Sequence, residues 1–290
     1  MRDIRFNQRW TTWQRVKNGV LYAAGYALIK IVSKLPYGLA LAGGRTLGWV
    51  CWLAAPCARR RASRRLALAF GDRAHVTARQ VFVALGQDLL RAAWLFATER
   101  EAKWLTIEPR TKKLLDGYRR DGVGVVFVTA HSGLMDWMSM SVAAQGYDVA
   151  VVARESYDPR FTKLLESMRR ARGVATLYRG RSLLGLVRRL RRGSIVGFAV
   201  DFPGRGTQRR DVFFLGAKQP LAVGPVRLAG NARFAIVVGA VVPGSRGLQV
   251  EVEPFASDDD QDEQQRMQRL ADMLARQVLR LPQHWPWMFW

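Results

Sequence analysis

The chain reads as an α/β protein, a layered mixed sheet flanked by helices, with an apolar N-terminal helical arm that associates with membranes. Three observations predict this. Short apolar runs alternate with longer amphipathic stretches from residue 77 onward, the pattern of strands covered by helices. Two late strand signals, 234–242 and 248–253, are joined through Pro243-Gly244-Ser245-Arg246-Gly247, a hairpin that makes the sheet mixed. Residues 19–58 are apolar and aromatic with few charges.

In that arm Lys30, Lys34, Pro36 and Arg45 break the apolar run, so it falls short of the roughly 18 to 20 uninterrupted residues a spanning helix needs. Basic clusters flank it, with Arg2, Arg5, Arg9, Arg15 and Lys17 before and Arg59, Arg60, Arg61, Arg64 and Arg65 after. A single crossing would strand one cluster on the far side, whereas helices lying in the interface keep both on an anionic cytoplasmic face. The expectation is a peripheral or monotopic arm over 1–58 and a catalytic α/β domain over 59–290, with no cleaved signal peptide. The plainer alternative is that these helices simply pack on the catalytic core.

Beyond the arm, Val81, Leu85, Leu89 and Ala93 share one face of a helix over 77–99, with Thr77 as its cap. A strand at 123–130, a helix from 134, a strand at 148–153, a helix at 159–171 and a strand at 174–177 follow. Next come a basic helix at 181–192, a buried strand at 194–200, a helix at 221–229 and the two late strands. The closing helix, 258–281, starts acidic and ends basic, the order its dipole favours. Between them, 201–216 reads as a long Gly-rich loop. Arg205, Arg209 and Arg210 could face phosphates while Phe213, Phe214 and Leu215 meet an acyl chain or the bilayer; the bland reading is a solvated basic loop held down by its aromatics.

Lys plus Arg number 46 against 23 Asp plus Glu, a net charge of +23 that attracts phosphates, anionic lipid or an acidic carrier protein. Cys51 and Cys57 have neither metal-ligand nor redox spacing, so neither a disulfide framework nor a metal site is expected. A nucleic-acid-binding protein is disfavoured, because the basic residues are dispersed and no helix-turn-helix, zinc-finger or RNP-like pattern is present.

The most informative residues are His131-Ser-Gly-Leu-Met-Asp136, directly after the 123–130 strand. Five positions is the wrong spacing for two neighbours on one helix. His131 would have to sit in the turn before the helix and Asp136 in its first turn for imidazole and carboxylate to meet, an arrangement that Ser132-Gly133 eases. Asp136 would then fix the tautomer while the other ring nitrogen takes a proton from a substrate hydroxyl. No Ser, Cys or second His motif competes for the chemistry.

The order of features is what carries a resemblance: the basic apolar arm, His131-x4-Asp136, Arg154 after the next strand, the helix at Arg181, Asp201 closing a later strand, the Phe213-Phe214-Leu215-Gly216 turn and the Pro282-Gln-His-Trp-Pro-Trp287 tail. Together they resemble the bacterial lipid A late acyltransferases, within the wider glycerolipid acyltransferase superfamily. The resemblance implies transfer of a fatty acyl chain from an acyl-carrier protein or coenzyme A thioester to a glycolipid hydroxyl, with no other cofactor. It casts His131 as general base and Asp136 as its partner. Arg154 and, less strongly, Arg181 would contact substrate phosphate, Gly133 amides or an Arg would steady the oxyanion, and Asp201 would orient a loop or an Arg. It also implies a seat on anionic lipid at the cytoplasmic face of a bacterial inner membrane. Met135 before the acid, Trp137 after it and the apolar Trp287-Met-Phe-Trp290 end depart from the family pattern, so lysophospholipid, ornithine-lipid and aryl-polyene acceptors stay open, as does hydrolysis of the thioester.

Overall fold

Six consecutive apolar-rich residues, 124–129, are buried without exception, because they form a central strand with helices on both faces. The computed structural model describes residues 9–71, 75–97, 105–180, 183–202, 207–230, 234–244, 247–256 and 262–289. In chain order the elements are α1 (Thr12–Val32), α2 (Tyr37–Ala54), α3 (Pro56–Phe70), α4 (Ala78–Ala97), β1 (Leu105–Ile107), α5 (Pro109–Arg120), β2 (Gly124–Thr129), α6 (Met135–Ala143), β3 (Val149–Ala153) and α7 (Pro159–Ala171). There follow β4 (Val174–Tyr178), α8 (Leu183–Arg191), β5 (Ile195–Ala199), β6 (Arg209–Phe214), β7 (Ala217–Ala222), α9 (Gly224–Gly230), β8 (Phe234–Gly244), β9 (Gly247–Pro254) and α10 (Glu263–Arg280), then one-turn helical segments at Pro282–His284 and Trp287–Phe289.

Seven strands form one sheet in the order β1-β9-β8-β2-β5-β3-β4. Only the β8–β9 hairpin is antiparallel, so the sheet is mixed as the Pro243 to Gly247 turn predicts. The pleat divides the core in two. Val126 and Val128 face a cluster built with α9, α10 and the tail, while Val125 and Phe127 face one built with α5 and α6.

One assignment is corrected, and of the two readings of the 201–216 segment its aromatics follow the plainer one. Residues 209–222 are a hairpin, β6–β7, rather than a loop running into a helix; α9 starts only at Gly224. Phe214 and Leu215 are buried, Phe214 edge-on to Trp285, and only Phe213 is exposed, at 62 %. Arg210 pairs with Glu263 at 3.0 Å, and Arg205 lies outside the described residues. β1 and α5 fall where the periodicity predicts no element: three residues are too few to show alternation, and α5 is mostly polar.

The expected arm holds two helices, α1 and α2, and α3 begins at Pro56 and runs on past position 58. No helix among the described residues is long and apolar enough to cross a membrane. α2 and α4 touch backbone to backbone: a Cβ on Gly48 would lie 2.3 Å from the Phe82 carbonyl oxygen and one on Gly86 2.4 Å from that of Gly44. Contact this close needs glycine on both helices. Arg2 and Arg5 lie outside the described residues.

Candidate active site

β2 and β5 run parallel with Thr129 opposite Ala199. Two residues past each partner, His131 and Asp201 therefore come side by side at the carboxyl edge of the sheet, where open α/β sheets place their ligands. His131 Nδ1 is 2.7 Å from Asp201 Oδ1, and the His131 amide donates to both carboxylate oxygens at 2.9 Å. The Trp285 indole donates to Oδ2 at 2.9 Å. Asp201 is fully buried, so these donors replace the water it has lost. With Nδ1 engaged, Nε2 is the ring atom left to meet a ligand. Phe202 holds the ring from the side, centroids 4.9 Å apart.

The expected partner, Asp136, is elsewhere. α6 begins at Met135, and its first turn carries Asp136 toward α7, where Oδ1 accepts from Arg169 Nε at 2.8 Å. Asp201 rather than Asp136 thus holds the imidazole, although Asp136 lines the same cavity.

Gly133 has a different task from the one expected of it. Its amide donates to the His284 carbonyl at 3.1 Å, so it is committed to the tail and not to an oxyanion. A Cβ on Gly133 would fall 2.2 Å from Asp88 Oδ2. That same Oδ2 lies 2.6 Å from His284 Nδ1, while Oδ1 accepts from Arg91 at 2.7 Å. α4, the turn after His131 and the C-terminal segment are thereby locked at one buried carboxylate.

The cavity beside His131 has a volume of about 550 Å³. It lies between α6 and the sheet face that carries Phe127, Val149 and Ile195, and it reaches from the polar carboxyl edge down to apolar side chains. Arg154, Arg169 and Arg179 line it, with Phe289 of the tail. Burial, and then the nearby Arg154 charge, hold the Arg179 guanidinium below its ordinary pKa. Arg154 is exposed and Arg179 half-buried, two like charges on one rim whose repulsion an anion between them would relieve. Arg154 is where the sequence placed a phosphate contact; Arg181 lies outside the described residues. Among the described residues no group of three His, Cys, Asp or Glu side chains could hold a metal ion.

Sequence reasoning missed Arg169, Arg179, Asp88 and the tail's contacts. A usable signal existed for Asp201, since His131 and Asp201 each directly follow a buried apolar strand.

The site is thus a histidine braced by a buried carboxylate, opening on an apolar cavity with an arginine rim at the carboxyl edge of a mixed α/β sheet. The bacterial lipid A biosynthesis acyltransferase family matches residues 10–289, and the chain belongs to that family. It is an acyltransferase of the lipid A type. No curated protein gives a significant match.

Proposed function

We propose that the protein moves a fatty acyl group from a thioester, carried by acyl-carrier protein or coenzyme A, to a hydroxyl of a lipid A-type glycolipid precursor. The observation that carries this reading is the His131–Asp201 pair at the polar end of the 550 Å³ apolar cavity. The acyl chain of the donor lies in the cavity, with its thioester carbonyl near His131. His131 Nε2 takes the acceptor hydroxyl proton as the oxygen attacks that carbonyl; the C–S bond breaks, and the leaving thiolate receives the proton from the imidazolium. Asp201 keeps Nδ1 protonated and offsets the imidazolium charge. Arg154 and Arg179 face the developing oxyanion or a substrate phosphate, contacts that a guanidinium makes with two parallel hydrogen bonds. Asp136 holds Arg169 in the cavity wall.

The enzyme rests on the cytoplasmic face of the inner membrane. Support comes from α1 and α2, which expose large apolar side chains, among them Trp13 at 73 %, Val20, Ile31, Leu39 and Trp49. A helix lying in the interface gives such residues a place, and the +23 charge favours anionic lipid and an acidic carrier.

The test is transfer of labelled acyl chain from acyl-carrier protein to a bacterial glycolipid extract, comparing the parent with His131→Ala. Label on one glycolipid, lost in the variant, supports the reading and names the acceptor. A His131→Ala enzyme as active as the parent overturns it.

A further inference from the structure

Beside the cavity lies a second hollow of about 790 Å³, a groove between α1, α4 and α7. Its walls are apolar, with Leu21 and Leu28 from α1, Leu89 from α4, and Phe161 and Leu165 from α7. Two contacts pin α1 across it: Gln14 donates to the Tyr157 hydroxyl at 3.0 Å, and Tyr22 meets Phe161 edge-on at 5.3 Å. Asp136 lines both the groove and the reaction cavity, so the two are neighbours across one carboxylate.

One polar group in this wall is unexplained by the protein. Asn18 is 4 % exposed and lines the groove, and its amide nitrogen has no hydrogen-bond partner among the described residues. Buried donors are nearly always paired, and ligand sites in apolar walls orient their ligands with just such isolated polar groups.

We propose that the groove seats an alkyl chain the acceptor already carries, with Asn18 donating to the carbonyl or hydroxyl oxygen at the head of that chain. This rests on the acyltransferase reading above. A glycolipid whose hydroxyl reaches His131 leaves its remaining chains outside the reaction cavity, which the donor's single chain occupies. The groove on the far side of Asp136 is apolar lining that adjoins the reaction cavity. Leu21 and Leu89 are more than half exposed, so the groove is open along the same α1 surface that meets the bilayer, and a chain can enter it without leaving apolar surroundings. The chain's first polar oxygen then supplies the acceptor that Asn18 lacks.

The experiment uses the full chain and an acceptor glycolipid with a diazirine in one of its existing alkyl chains. Photolysis is expected to label peptides of α1, α4 or α7 that line the groove, and excess unlabelled acceptor is expected to suppress this where phosphatidylcholine vesicles do not. Kinetics give the second arm. Asn18→Leu and Ala92→Phe, the latter narrowing the groove from α4, are expected to raise KM for the long-chain acceptor roughly tenfold, the scale on which an apolar pocket discriminates, and to raise it much less for the same headgroup with short chains. Equal suppression by phosphatidylcholine assigns the groove to bulk membrane lipid and overturns the proposal, as does labelling confined to the reaction cavity or a KM rise that ignores chain length. A parent enzyme that transfers nothing ends both readings together; one that transfers while the groove variants fail to discriminate ends this one alone.

Discussion

Asp201 Oδ1 stands 2.7 Å from His131 Nδ1, across 70 residues of sequence, and the pair is held in place by the parallel register of β2 and β5 rather than by any local turn.

A neutral amide at position 201 keeps the shape of the site but no longer selects the productive tautomer of His131. Asp201→Asn is expected to lower kcat by up to about 10⁴-fold, the cost of the equivalent change in a triad, with the acceptor KM little altered. Asp136→Asn, which weakens the bond to Arg169 and leaves Nδ1 on its carboxylate, should lose far less. Steady-state transfer kinetics on the two variants decide it, and a larger kcat loss for Asp136→Asn would show that the imidazole changes partner during turnover.

The turn after His131 depends on Gly133 lying against Asp88. Gly133→Ala drives a methyl into that carboxylate and should cost about 1–3 kcal/mol, the usual range for overpacking. His284→Ala removes the partner of Asp88 Oδ2 from the other side. Both are expected to lower kcat more than they raise the donor KM, because they disturb the base and leave the lining of the donor cavity intact; Gly133 and Asp88 border the groove, so the acceptor KM is not the readout. His284→Gln, which retains a side-chain donor, should recover part of the loss. Thermal unfolding run beside the kinetics separates this from general damage: a lowered Tm with kcat unchanged would sink the positioning role.

Much of the layering was legible because burial on both faces of β2 leaves a run of apolar residues that little else explains. The β6–β7 hairpin was not, because four of the six residues of β6, Arg209, Arg210, Asp211 and Phe213, project outward, and Pro220 interrupts the second strand. His131 itself stood out from its place after the strongest strand. Its carboxylate did not, since a local Asp at position 136 was available and the register that brings Asp201 alongside is a long-range property.

Gly197 lies on β5 between Ile195 and Ala199, and all three line the reaction cavity. A Cβ there would meet Val151 Cγ1 at 3.4 Å, ordinary contact, so a side chain fits without displacing the sheet. Gly197→Val is therefore expected to fill part of the cavity and shift the donor preference to chains a few carbons shorter, with roughly 10-fold or greater discrimination against the parent's best chain. Competition between acyl-carrier thioesters of graded length reads this directly. An unchanged length profile would place the donor chain outside the cavity.

Alkaline pH gives a check on the α7–β4 contact. Burial and the bond to Glu166 at 2.9 Å push the Tyr178 hydroxyl up to about 12, above its ordinary value of 10.0. Because the folded pKa is the higher one, this stabilisation is complete below pH 10 and is lost as pH rises toward 12. Tyr178→Phe should flatten the fall of stability across that window, measured by denaturant unfolding at stepped pH. An identical slope in the two proteins would remove Tyr178 from the account.

Arg179 offers the sharpest separation of stability from function. It is partly buried and faces the charge of Arg154, and both effects work against its protonated form while no anion is present. Its side-chain bond to Thr207, at 3.3 Å, is long and returns little. Arg179→Met keeps the apolar stem and removes the charge, so the unliganded protein should gain stability, with Tm rising by a few degrees. The same change should raise KM for a phosphorylated acceptor; inorganic pyrophosphate is expected to raise the Tm of the parent and not that of the variant, since a ligand stabilises only the state that binds it. If the variant is instead less stable, or pyrophosphate still raises its Tm as far as the parent's, the guanidinium serves the fold and the anion sits elsewhere.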